Sequence, residues 1–141
     1  MRSIEFSIPG DPQGKARHRV VKTQTGIRAY TPARTVNYER AVAILARQAM
    51  KGRELIGGPV SVAVEIGFKI PDSWSDAKKI KALKGLLLPT KKPDIDNIQK
   101  VLFDSLNGIV WEDDTQVVSV TASKRYVTDP HVFMRIFEIN H

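Results

Sequence analysis

The chain has 141 residues and a mass of 15.8 kDa, enough for one domain with a real core and too little for two. Cysteine is absent, which excludes disulfides, thiolate zinc sites and a cysteine nucleophile. No apolar run approaches the roughly 18 residues of a membrane span, and the alternating segment Met1–Gly10 has no signal-peptide core, so a cytoplasmic protein is expected. The net charge is +7 and favours a polyanionic partner.

Ile4, Phe6 and Ile8 alternate with polar residues and predict a strand over 3–8, ended by Pro9-Gly10-Asp11-Pro12. Residues 13–31 follow neither period and read as a long basic loop with room for a short hairpin at Thr25-Gly26. Tyr38, Val42, Leu45 and Ala49 predict an amphipathic helix over about 34–51, with Gly52 as its stop. Val60, Val62, Val64, Ile66, Phe68 and Ile70 alternate without a miss, and their β-branching agrees with a strand. After Pro71 comes a lysine-rich insertion in which Ser75 can cap a short helix ending near Gly85. Ile98, Val101, Leu102, Ser105 and Leu106 predict a helix over about 96–107, stopped at Asn107-Gly108. Strands are expected over about 116–126 and 132–139, paired as a hairpin through Thr128–His131. The expected fold is a single α/β domain over 1–141, a mixed four-stranded sheet with two main helices on one face.

The cations are not scattered. Lys15, Arg17, Arg19, Lys22, Arg28 and Arg34 occupy residues 14–34 with no acid among them. Lys78, Lys79, Lys81, Lys84, Lys91 and Lys92 do the same over 78–92. Both stretches can be solvated loops, or they can grip phosphates. The three histidines, His18, His131 and His141, have no metal-ligand or triad spacing. Trp111 reads as core or hinge packing, whereas Trp74 in the insertion is equally suited to stacking on a base.

The segment Lys92-Pro93-Asp94-Ile95-Asp96-Asn97 through Lys100 carries the chemistry. Pro93 forces an extended entry, and in extended chain Asp94 and Asp96 aim two carboxylates the same way. Asp96 or Asn97 can cap the following helix, whose dipole favours ionised acids. Lys100 stands one turn after Asp96 on the same face. The helix is about 16 Å long and residues 108–114 reach about 23 Å, enough to return Glu112, Asp113 or Asp114 to the helix start. Two or three carboxylates with one lysine suit Mg²⁺, which keeps waters and accepts phosphate oxygens, while the lysine offsets charge in a phosphoryl transition state. The bland alternatives are an Asp-rich turn that merely caps a helix and a surface pair between Asp96 and Lys100.

Taken together, Lys92–Asn97 through Lys100, Asp104, Asn107-Gly108 and Trp111-Glu112-Asp113-Asp114-Thr115-Gln116-Val117 resemble the RusA family of Holliday-junction resolvases. Gly14-Lys15-Ala16-Arg17, Tyr38-Glu39 and the long second strand extend the resemblance more loosely. It implies three aspartates that bind Mg²⁺, here Asp94, Asp96 and Asp114, with Lys100 assisting catalysis. It also implies a homodimer that nicks two strands of four-way DNA junctions, often encoded by prophages. Lys15, Arg17, Arg19, Lys91 and Lys92 are the expected DNA contacts. The rivals are a non-catalytic, structure-specific nucleic-acid-binding protein and a related nuclease for flaps or RNA.

Overall fold

The computed structural model describes residues 2–16, 19–30 and 32–139. Its elements are β1 (Ser3–Pro9), β2 (Arg19–Thr23), β3 (Gly26–Tyr30), α1 (Ala33–Met50), β4 (Val60–Lys69), α2 (Asp76–Leu83), α3 (Ile95–Leu106), a 3-10 turn (Asp114–Gln116), β5 (Val117–Val127) and β6 (His131–Glu138). The α/β mixed four-stranded sheet is as expected, in the order β1-β6-β4-β5, with the β4–β5 pair parallel and the others antiparallel.

Alternation fixes which side of the sheet is dry. Ile4, Phe6 and Ile8 of β1, Val60, Val62, Val64 and Ile66 of β4, and Val132, Met134 and Ile136 of β6 are buried together. They meet Val42, Ala46 and Met50 from α1 and Ile98, Val101, Leu102 and Leu106 from α3, so the two main helices share one face of the sheet. The opposite face is mixed: Phe133 and Phe137 lie half-buried on it, and Arg135 reaches across it to Glu5 at 3.0 Å.

One expectation changes. The last two strands do not form a hairpin: β6 lies between β1 and β4, while β5 takes the edge. The burial pattern gives the reason. β6 buries Val132, Met134 and Ile136 fully, which requires a neighbour on each side, whereas most of β5 is exposed. Residues 128–130 step over the end of β4, about 10 Å or two strand spacings, within reach of three extended residues. The crossing is close: a Cβ on Gly67 would meet Val127 Cγ2 at 2.7 Å and His131 Cε1 at 3.3 Å. In the basic segment 13–31 the short hairpin placed at Thr25-Gly26 is present: β2 and β3 form a separate two-stranded sheet turning at Gly26, φ 140°. Arg17 and His18 lie outside the described residues, as do His141 and the side chain of Arg19.

In the insertion, Ser75 caps α2 as expected, its Oγ accepting the Lys78 N–H at 3.2 Å. Trp74 packs edge-on against Tyr126 at 5.1 Å with Lys78 over its ring at 4.0 Å. Trp111 is core: fully buried, edge-on to Phe103, and donating its indole N–H to Asn107 Oδ1 at 2.7 Å.

Candidate nuclease site

Helix α3 begins one residue earlier than its apolar period suggests. Asp94 is the cap residue, extended at φ −77° and ψ 163°, and Asp96 falls inside the first turn. The alternation that would align the two carboxylates therefore ends at Ile95, and helical geometry turns Asp96 about 200° from Asp94. The Asp94 side chain makes no capping hydrogen bond. A carboxylate at a cap position normally accepts from the amides of the first turn; this one is exposed and uncommitted.

Asp94 lines a cleft of about 810 Å³ together with Asn97, Lys100, Lys92 and Arg34. Its other wall is the segment Pro12–Ala16. That wall is built against α3. A Cβ on Gly14 would meet Asn97 Nδ2 at 2.8 Å and Pro93 Cβ at 3.0 Å, so only glycine lets the backbone lie this close. Lys15 N–H then donates to the Asn97 carbonyl at 3.1 Å, and Ala16 N–H to Thr35 Oγ1 at 3.2 Å.

Four cations line the cleft around one free carboxylate. Lys92, Lys100 and Arg34 form no salt bridge among the described residues. Lys15 differs. Its ammonium lies 3.2 Å from Glu39 and 3.1 Å from Asp104. Partial burial pulls its pKa down, but the hydrogen bonds to Asp104 and Glu39 outweigh that and raise it. Lys91 is exposed beside the Phe68 ring, and its carbonyl accepts from Lys124 Nζ at 2.7 Å.

Asp114 sits elsewhere. The loop after α3 does not return to the helix start. It is held at the far end by Gly108 N–H to Trp111 O at 2.7 Å and by Val110 N–H to Leu106 O at 3.0 Å. Asp114 there meets the side chain of Asn107 and the charge of Asp104. Partial burial, then Asp113 and Asp104, raise its pKa. Asp113 is fully exposed and caps the 3-10 turn, and the hydrogen bond from Thr115 lowers its pKa. Asp96 and Asp104 are about 12 Å apart along the axis. Among the described residues, no three Asp, Glu, His or Cys side chains gather closely enough to hold a metal. The chain thus brings Asp94, Asn97 and Lys100 to one cleft, leaves Asp96 exposed one residue into the helix, and keeps Asp114 with Asn107 and Asp104.

Three site residues carried no independent sequence signal. Arg34 was one cation among six. Glu39 and Asp104 were motif positions whose shared partner, Lys15, lies 24 residues from Glu39. Gln116 is structural: its amide donates to the carbonyls of Ile56 and Gly58 at 2.7 and 2.9 Å, and its oxygen accepts from Glu112 and Asp113 N–H.

A family profile described as "Endodeoxyribonuclease RusA" matches residues 9–137. A Bacillus subtilis (strain 168) protein described as "Uncharacterized protein YqaN" is 37% identical over 142 residues, covering 99% of each chain.

Proposed function

The chain belongs to the RusA family of endodeoxyribonucleases, and on that footing we propose that it is a Mg²⁺-dependent endonuclease that resolves four-way DNA junctions in the cytoplasm, in recombination and repair. The observation that carries this reading is the uncommitted Asp94 carboxylate at the head of α3, facing a cleft lined by Lys92, Lys100 and Arg34. A helix that needed Asp94 only as a cap would engage its side chain. The non-catalytic rival lacks that support.

The residues fit a hard cation in part. Mg²⁺ is commonly held by one or two carboxylates, waters and phosphate oxygens rather than by an all-protein cage. Asp94 supplies one such carboxylate at the positive end of a helix dipole, and Asp96, turned away from it in the first turn, is the second proposed donor. When bound, the ion supplies phosphate polarisation and a water of lowered pKa. Lys100 offsets charge developing on the scissile phosphate. Lys92 and Arg34 hold flanking phosphates and keep the backbone in the cleft. Asp114 is the third proposed donor, yet it stands at the other end of α3 in the same chain.

A two-fold dimer answers both the separated acid and the two cuts that resolution needs. β5 supports it, as a long edge strand exposing Val118 and Val120. Mixing Asp94→Asn chains with Asp114→Asn chains should then recover cleavage that neither gives alone. Absence of recovery would place the working acids in one chain. The main test compares labelled junction, duplex, flap and RNA, with and without Mg²⁺. Paired symmetric nicks in the junction alone are expected. Tight binding without Mg²⁺-dependent cutting would establish the non-catalytic rival.

A further inference from the structure

A lysine that grips phosphate has to offer its N–H groups outward. Lys15, although its side chain lines the cleft, spends them on two carboxylates. Its Nζ reaches both carboxylate oxygens of Glu39, at 3.3 and 3.2 Å, and Asp104 at 3.1 Å. One ammonium between two carboxylates leaves this cluster with a net negative charge, which repels a phosphate.

Glu39 lies on α1, Asp104 on α3 and Lys15 on the cleft wall, so the three charges join three separate parts of the chain. The backbone repeats the join. Gly14 seats against Pro93 and Asn97, position 15 donates to Asn97, and position 16 donates to Thr35 of α1. Pro93 and Asn97 flank Asp94. The segment that Lys15 fastens is therefore the one that presses on the corner presenting Asp94.

We propose that Lys15 is a positioning residue, an internal counter-ion that locks the Pro12–Ala16 wall onto α1 and α3 and so holds the Asp94 corner, with no phosphate contact of its own. The junction-binding and rate measurements below rest on the proposed function; the exchange measurement does not. Lys15→Met removes the tie and leaves Glu39 and Asp104 repelling one another. Neutralising all three, Lys15→Met with Glu39→Gln and Asp104→Asn, removes both the tie and the repulsion, so the triple variant should recover much of what the single variant loses.

Hydrogen exchange of the amides at positions 15 and 16 gives a readout that needs no cleavage. Exchange should quicken about tenfold in Lys15→Met, a size ordinary for coupled contacting groups, and return to within about threefold of wild type in the triple variant. Binding of a four-way junction should keep its log–log salt slope in Lys15→Met, and the single-turnover rate should fall about tenfold and recover in the triple variant. A salt slope shallower by about one, or unaltered exchange, overturns the proposal. If wild-type protein cuts no DNA, the nuclease reading fails while exchange still decides the lock. Asp104→Asn removes one of the two tethers at a half-exposed position; it should give a smaller acceleration at the same two amides even if Lys15→Met does not fold, and unaltered exchange in it counts against the lock.

Discussion

The two ends of α3 carry similar residues in different states. At the head stand Asp94, Asp96, Asn97 and Lys100, exposed or half-exposed; Asp94 caps nothing and Lys100 has no salt-bridge partner among the described residues. At the tail Asn107, Asp113 and Gln116 are bound to one another or to the core by hydrogen bonds, while Asp114 lies half-buried beside Asn107 and Asp104. Polar groups already spent on the fold have little left for a ligand, whereas unspent ones at a helix head remain available. The difference separates Asp94 from Asp113 more sharply than residue type does.

The comparison can be broken by substitution. Asp94→Asn should lower junction cleavage by at least about 10³-fold while leaving binding intact or tighter, because it removes a negative charge beside the phosphates; near wild-type cutting in a single-turnover assay would take Asp94 out of the chemistry. Lys100→Ala should cost about 10²–10³-fold in that assay, the range for one electrostatic stabiliser, with the urea midpoint almost unmoved. The tail should answer in stability instead. Gln116→Ala unties the Glu112–Gln116 loop from Ile56 and Gly58 and should cost about 1–3 kcal/mol in urea unfolding; a loss below that range would mean water replaces these bonds.

The smallest effect is at Asp114. Its folded pKa lies above its ordinary value because of burial and the charges of Asp113 and Asp104. Its ionisation therefore disfavours the fold: stability is fully present below the unfolded pKa and declines as pH rises through the folded one. Asp114→Asn should raise stability at pH 7 only slightly, because solvent screens these charges, and the gain should vanish near pH 3. A gain that persists in acid would point to a packing cause.

Much of this was legible in the sequence, because the core elements announce themselves by period. The alternation at 60–70 and the 98–106 stripe locate β4 and α3 to within a residue or so. Strand order was not legible. Nothing local in 117–138 says that β6 is shared between β1 and β4, since that depends on partners far upstream, those in β1 by more than a hundred residues. The acid pair was half legible: the motif marks Asp94, but one residue of helix register decides whether Asp96 points with it. The reach of 108–114 showed only what the chain can span; the Asn107–Trp111 bond and the grip of Gln116 decide where the loop stays. Lys15 looked like its basic neighbours because its acidic partners are distant in sequence.

The shared strand has a consequence for biosynthesis. β1 and β4 never touch as a pair; each finds its neighbour in β6. During translation the earlier strands emerge first, so two apolar strands wait with open edges until residues 131–138 have been made. The cleft between the Pro12–Ala16 wall and α3 then has no finished sheet beneath it. A nascent chain halted before His131 would present strand edges suited to aggregation rather than a partly working nuclease.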